Sequence, residues 1–142
     1  MSILALDVGS KRIGVAVSDP RETYALPVGT IERTNLRTDL QRIVEFVAAY
    51  GARELVVGDP LNLAGQRGPA AETMDAFVEK LRAVFPGSIH RVDERLTTAQ
   101  ATKTLLAADV SRSRRKRVVD KMAAALILES YLARRRNGGH VQ

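Results

Sequence analysis

The stretch from Leu4 to Asp19, LALDVGSKRIGVAVSD, contains two short apolar runs on either side of a turn. The first run begins at Ile3 and ends on Asp7, and the second covers Ile13 to Val17. This pattern is typical of an antiparallel β-hairpin within a buried sheet. A carboxylate at the end of a buried strand is costly unless it is paired, hydrogen-bonded or bound to a cation. The hairpin therefore makes Asp7 a candidate functional residue.

The rest of the chain alternates between strand-like and helix-like apolar patterns. The predicted elements are a strand over 25–31, a helix over 36–50 that stops at Gly51, a strand over 54–58, a helix from Pro69 to about Phe85, a strand over 89–92, a helix from about Thr97 and a last helix from 118 to about 134. This order predicts an α/β fold with a five-stranded mixed sheet flanked by helices. Strands 1–3 would be antiparallel, and strands 1, 4 and 5 parallel. Because the carboxyl ends of parallel strands share one edge, we expect Asp7, Asp59 and Glu94 at that edge.

Composition restricts the class of protein. The 142 residues suit a single domain, which we assign to 1–142 with a basic connector at 110–117 and a polar tail from about 137. With 22 Lys and Arg against 16 Asp and Glu, the net charge of +6 favours a polyanionic partner such as nucleic acid, although a generally basic protein fits equally well. The absence of cysteine excludes disulfides and thiolate metal sites. Without a signal peptide or a membrane span, we expect a cytoplasmic protein.

Three acidic residues in separate local contexts predict a metal site. Asp7 and Glu94 end apolar strands, and Asp120 opens an apolar helix, where it shares a face with Ala124 and Ile127. Three converging carboxylates would repel one another without a cation. Oxygen donors suit Mg2+ or Mn2+, and two such ions about 4 Å apart can promote phosphodiester hydrolysis. We therefore predict a two-metal nuclease with these three acids as catalytic residues and metal ligands.

Each acid also has an ordinary structural explanation. Asp7 could form an Asx turn over Gly9, Asp120 could interact with its helix dipole, and Glu94 could pair with Arg95. Three further acids are weaker candidates for the site. They are Asp19, expected in a turn at the opposite sheet edge, Asp59, which could be only a loop start, and Asp93, which could cap the following segment.

Basic residues near the three acids are candidates for binding nucleic acid. A dense run over 112–117 precedes Asp120 and could clamp phosphates, although a solvated linker is the simpler explanation. Lys11, Arg12 or Lys121 could stabilise charge on a scissile phosphate. The nucleic-acid-binding candidates are Lys11, Arg12, Arg95, Arg112, Arg114, Arg115, Lys116 and Arg117. In contrast, Arg134, Arg135 and Arg136 are interpreted as cations in the last turn of a helix.

Four motifs in order resemble the YqgF family, also called RuvX, of Holliday junction resolvases and 16S ribosomal RNA precursor nucleases. They are LALDVGSKRIGVAVSD, VVGDPLN with the following GQRGPAAE, VDERLTTAQA and VDKMAAALILESYL, and they span most of 4–132. The resemblance implies a ribonuclease H-like fold, catalytic acids at Asp7, Glu94 and Asp120, and Mg2+ or Mn2+ as cofactor. The family's usual G-apolar-P is replaced here by Gly58-Asp59-Pro60, which adds a negative charge.

The resemblance ranks the possible functions. Processing of the 5' end of precursor 16S rRNA comes first, and cleavage of Holliday junctions or general DNA or RNA cleavage comes second. A resolvase would be expected to act as a two-fold homodimer. Two functions of other classes stay open: a non-catalytic nucleic-acid-binding protein with structural carboxylates, and an actin-like or sugar-kinase-like ATPase, whose fold also begins with Asp-x-Gly after a strand. The ATPase would require a second domain.

Overall fold

A computed structural model describes residues 2–59, 68–93 and 112–138. The strands and helices in these ranges are β1 (Ser2–Val8), β2 (Arg12–Ser18), β3 (Ala25–Glu32), α1 (Leu36–Tyr50), β4 (Ala52–Asp59), α2 (Pro69–Val84), β5 (Ser88–Asp93) and α3 (Arg112–Gly138). All five predicted strands are present, each one to three residues longer than its apolar run. The helix predicted from about Thr97 lies outside the described residues.

The five strands form one mixed sheet in the order β3-β2-β1-β4-β5. The β1–β2 and β2–β3 pairs are antiparallel, whereas β1–β4 and β4–β5 are parallel, as predicted. In this register Leu6 lies beside Val57, and Asp59 lies beside Asp93. The carboxyl ends of β1, β4 and β5 therefore share one side of the sheet, which we call the carboxyl edge.

Alternation along the strands divides the core into two layers. Leu4 and Leu6 of β1 face α1 and α2 in the larger cluster, together with apolar residues of the neighbouring strands. Ile3 and Ala5 face the opposite way and pack with α3, where Leu128 is fully buried. Burying one such large side chain contributes about 1.5–3 kcal/mol, so the sheet is held between helices on both faces.

Local signals determine where α1 begins and ends. The Asn35 side chain caps its start by accepting a hydrogen bond from the Thr38 N–H at 2.9 Å. Gly51 ends it in the left-handed conformation, with φ of 62°, and its N–H donates to the Val47 carbonyl. The predicted stop at Gly51 is confirmed. Helix α2 begins with Pro69, where the missing N–H costs nothing.

Helix α3 differs from its prediction at both ends. It begins at Arg112, so the run 112–117, predicted as a connector, forms its first turns. Arginine and lysine are good helix formers and neither Gly nor Pro interrupts the run, so charge alone was a poor reason to predict a loop. The helix ends at Gly138, beyond the expected start of the polar tail. No helix within the described ranges is long and apolar enough to cross a bilayer.

Candidate functional site

Asp7 lies near the end of β1 at the carboxyl edge, on the face of the sheet that α3 covers. It alternates with Ile3 and Ala5, which pack against that helix, and it is half-buried. The residue opposite on β2 is Gly14, which has no side chain to cover the carboxylate. The structure therefore places Asp7 at the carboxyl edge, as the sequence predicted, and adds that it lies on the face covered by α3.

A tight hairpin turn follows Asp7. The Gly9 N–H donates to the Arg12 carbonyl at 2.8 Å and closes the turn. A Cβ at Gly9 would lie 2.9 Å from that same carbonyl oxygen, so glycine is required by this close approach. The exposed turn residues Ser10 and Lys11 are consequently held at the carboxyl edge.

The two cations of the turn differ in their availability. The Arg12 Nε donates to Glu32 Oε1 at 3.0 Å across β2 and β3. Lys11 is exposed at the tip and makes no ion pair with any residue that the structure describes. Of the two, Lys11 is the better placed to meet a phosphate near Asp7.

Of the other two predicted acids, Asp120 lies in a described helix, whereas Glu94 does not lie among the described residues. Asp120 lies in α3, eight residues after Arg112. It is therefore not in the first turn, and the helix-dipole explanation is wrong because that effect falls off within the first turn. Glu94 follows Asp93, the last residue of β5, and lies outside the described residues. The convergence of Asp7, Glu94 and Asp120 stays a prediction, and among the described residues no three potential metal ligands form a group.

The basic candidates are placed to different extents. The predicted run over 112–117 forms the first turns of α3, whose later residues pack on the face of the sheet that carries Asp7. Arg95 lies outside the described residues. Binding of nucleic acid by these residues stays a prediction.

A buried ion pair beside the turn was missed by the sequence reasoning. Asp39 is 1% exposed, and its carboxylate accepts hydrogen bonds from Arg33 Nε and the Thr34 N–H, each at 3.1 Å. The Arg33 guanidinium also donates from NH1 to the Gly9 carbonyl at 2.8 Å. The pair therefore ties the start of α1 to the backbone two residues after Asp7. The only sequence signal was an acid in the first turn of a capped helix.

Arg33 lines a cleft at the carboxyl edge, on the face of the sheet opposite Asp7. Its guanidinium carbon lies 5.5 Å from the centre of the Phe77 ring of α2. The cleft has a volume of about 250 Å³. Its lining residues are Val8, Gly9, Ser10, Arg33, Thr73, Met74 and Phe77.

Asp19, a weaker candidate, has a structural role at the opposite edge of the sheet, as predicted. Its carboxylate accepts hydrogen bonds from the Thr23 N–H and hydroxyl, both at 2.6 Å, and from the Tyr24 N–H at 2.9 Å. Burial alone raises the pKa of Asp19, but hydrogen bonds from the Thr23 side chain and the backbone of Tyr24, Thr23 and Arg21 outweigh it and lower the pKa to about 2. Asp19 is therefore not part of the candidate site.

A polar cluster holds the far end of α3 on the sheet, away from Asp7. Arg135 donates to Glu54 at 2.8 Å and lies 3.5 Å from Glu22. Glu54 is also 3.4 Å from His90, whose ring is 5.1 Å from that of Tyr131. The hydrogen bond that Arg135 donates to Glu54 raises the pKa of Arg135, whereas desolvation raises the pKa of Tyr131. The sequence interpretation of Arg135 as a simple last-turn cation missed this long-range pairing.

Known proteins similar to this chain align with it over nearly their whole length. A protein of Desulforudis audaxviator is 45% identical over 138 residues, which cover 97% of this chain and 98% of the relative. One of Moorella thermoacetica is 50% identical over 134 residues, covering 94% and 96%. Both carry the name "Putative pre-16S rRNA nuclease".

Solved structures share the fold at low sequence identity. RuvC of T. thermophilus, solved in complex with a Holliday junction substrate, has a TM-score of 0.59 at 13% identity and covers 96% of both chains. The fowlpox virus resolvase, solved with Holliday junction DNA, has a TM-score of 0.55 at 10% identity, covering 94% of this chain and 97% of that one. The predicted ribonuclease H-like fold is thereby confirmed.

A family model also matches this chain. The family model described as "RuvX: Holliday junction resolvase" matches residues 1–134, nearly the whole chain. This match and the identity of the relatives confirm the resemblance seen in the four sequence motifs. The chain therefore belongs to the RuvX family.

Proposed function

We propose that this protein is a metal-dependent nuclease that hydrolyses phosphodiester bonds at the 5' end of precursor 16S rRNA. The observation that carries the proposal is the position of Asp7, a half-buried carboxylate at the carboxyl edge of the sheet on the face covered by α3. The names of the full-length relatives support the substrate. The same names support a cytoplasmic site of action, where rRNA precursors are processed.

The donor set fits a divalent metal. Asp7, Glu94 and Asp120 supply only carboxylate oxygens, and this chemistry suits Mg2+ or Mn2+ rather than a thiolate metal. Asp7 faces the layer that contains Asp120, and Glu94 comes two residues after Val92, which packs in that same layer. We therefore assign these three acids as metal ligands. When bound, a pair of such ions would activate water and stabilise the leaving oxygen in phosphodiester hydrolysis.

The chain's own residues would hold the substrate around this site. The Gly9–Arg12 hydrogen bond and the Arg33–Gly9 hydrogen bond restrain the backbone that follows Asp7, so the carboxylate is positioned before substrate arrives. The exposed ammonium of Lys11 would neutralise a phosphate at the carboxyl edge. The basic first turns of α3, over 112–117, would bind the backbone on either side.

The test is cleavage of labelled precursor 16S rRNA fragments with Mg2+, Mn2+ or chelator, comparing wild type with Asp7→Asn. Loss of even an outer-shell partner typically costs 10–100-fold in a metal site, so loss of a ligand should reduce cleavage by more than about 100-fold. Glu79→Gln is the control, because it removes one negative charge from a side chain of α2 that is 75% exposed. Its cleavage should match wild type.

The same experiment also tests two other functions, Holliday junction resolution and non-catalytic binding of nucleic acid. The description of the family model favours Holliday junction resolution, so a four-way DNA junction is included as a second substrate. Symmetric cutting of the junction by a dimer, with the rRNA fragment left intact, would replace rRNA processing by resolution. Equal behaviour of wild type and Asp7→Asn, with both binding RNA, would instead refute the catalytic role and leave a binding protein.

A further inference from the structure

The cleft beside the hairpin turn lies close to the candidate catalytic edge. Val8 and Gly9, which form one wall, follow Asp7 directly in the chain, and α2 forms the other wall through Thr73, Met74 and Phe77. The cleft and the Asp7 side chain lie on opposite faces of the sheet, and the backbone of Val8 and Gly9 lies between them at the carboxyl edge. A strand bound at Asp7 could therefore pass over the edge and reach the cleft.

Arg33 lines this cleft with a guanidinium that is restrained by hydrogen bonds. Its guanidinium is restrained by hydrogen bonds to Asp39 at 3.1 Å and to the Gly9 carbonyl at 2.8 Å, and the Phe77 ring lies next to it at 5.5 Å. The Arg33 side chain is still 25% exposed, whereas that of Asp39 is only 2% exposed. A group entering the cleft would thus meet a guanidinium whose orientation is already restrained by these hydrogen bonds.

Charge and size together favour a nucleobase over a phosphate. The positive charge of Arg33 is compensated by the buried carboxylate of Asp39, so a phosphate would gain little net attraction there. The volume of about 250 Å³ lies below the roughly 300 Å³ at which pockets for drug-sized ligands begin. Unstacked bases are commonly bound by stacking on guanidinium planes or aromatic rings. A single nucleobase is neutral, is small enough for the cleft and can stack on a guanidinium or an aromatic ring.

We propose that this cleft binds one unpaired nucleobase of the substrate strand, close to the phosphate that is cut. The inference rests on the proposed nuclease function and adds a substrate preference: the enzyme selects sites where a nucleotide next to the cut is free of its complementary strand. A fully paired duplex cannot place a base in the cleft without first breaking a base pair.

The test measures binding rather than cleavage, with full-length protein and chelator present. The probes are an RNA duplex with one unpaired fluorescent adenine analogue and the same duplex with that base paired. Thr73→Leu fills the rim of the cleft without adding charge or an aromatic ring. Ala83→Leu is the matched control, because it adds apolar volume at another exposed position of α2, about 15 Å along the helix.

The expected results follow from the energy of base stacking. Wild type should bind the unpaired probe more tightly than the paired one and change its fluorescence. Thr73→Leu should weaken binding of the unpaired probe by about tenfold, within the range for loss of one stacked base, and leave the paired probe unchanged. Ala83→Leu should behave as wild type with both probes, and all three proteins should have the same thermal midpoint.

Either of two results would overturn the cleft assignment: no preference of wild type for the unpaired probe, or equal effects of Thr73→Leu on both probes. These failures are separate from failure of the nuclease function. A protein that needs Asp7 for cleavage but shows no effect of Thr73→Leu is a nuclease without this base site. A protein that shows the Thr73 effect but does not cut is a binding protein with the base site.

Discussion

The ion pair between Arg33 and Asp39 allows a sharp test of the energetics next to the site. The substitution Arg33→Met keeps most of the apolar stem but removes the guanidinium, and so leaves the Asp39 carboxylate, 2% exposed, without its cation. The Gly9 carbonyl loses its 2.8 Å donor at the same time. We expect Arg33→Met to destabilise the protein strongly, because a buried charge without a partner keeps its full desolvation cost.

The magnitude follows from the burial of the two partners. Breaking a buried pair by removing one member typically costs about 3–5 kcal/mol. Asp39 keeps its hydrogen bond from the Thr34 N–H, and the quarter-exposed site of Arg33 can admit water, so we expect the lower end, about 3 kcal/mol. At about 4 °C per kcal/mol for a chain of this size, the melting temperature should fall by roughly 12 °C.

The assay is urea unfolding followed by far-ultraviolet circular dichroism, without metal or nucleic acid. Arg37→Met is the control, since Arg37 is exposed on α1 and has no ion-pair partner among the described residues, and it should change stability by less than about 0.5 kcal/mol. The double variant Arg33→Met/Asp39→Leu should recover part of the loss, because it no longer contains a buried charge. An Arg33→Met protein within 1 kcal/mol of wild type, or no recovery in the double variant, would refute the reasoning.

Three further predictions concern other parts of the structure. The pKa of Asp19 is lowered to about 2 from 3.8, so its contribution to stability is complete above pH 3.8 and is lost as the pH falls toward 2. The difference in urea midpoint between wild type and Asp19→Asn should therefore be clear at pH 6 and smaller at pH 2. A difference that does not change with pH would contradict this prediction. The substitution Arg135→Gln removes a positive charge that lowers the pKa of Tyr131, whereas Glu54 raises that pKa. The pKa of Tyr131 should therefore rise further in the variant, as measured by an absorbance titration. An unchanged titration would show that the cluster of Arg135, Glu54 and Tyr131 is not formed. The substitution Gly9→Ala should lower the free energy of unfolding by about 1–3 kcal/mol and reduce cleavage, because the new Cβ would lie 2.9 Å from the Arg12 carbonyl oxygen. A variant as stable as wild type would show that the turn relaxes to admit the methyl group.

Several features were predictable because their causes are local. The hairpin around Asp7 follows from two apolar runs and a turn, and Gly51 ends α1 through its own backbone conformation. The turn role of Asp19 involves partners within five residues of it. In each case the interacting groups are close in sequence, so the pattern of residue types carries the necessary information.

The start of α3 was not predictable in the same way. The charged run 112–117 has the propensity of a helix but no apolar periodicity of its own, so the sequence pattern favoured a connector. Helix α3 continues through this run from a segment that packs on the sheet through residues such as Ile127 and Leu128. Tertiary packing of one part of a helix can extend regular structure into a part with no packing signal.

The amino-acid sequence by itself determined the order of the strands, the mixed sheet, the family and the position of Asp7 at the end of a buried strand. Only the tertiary structure decided that Asp7 faces α3 and that Arg33 joins Asp39 to the Gly9 carbonyl across 24 residues of chain. Periodicity and turn chemistry act between neighbours in sequence. The pairing of groups from distant segments depends instead on how the sheet and helices dock, because docking sets which polar groups lose water together and must satisfy one another.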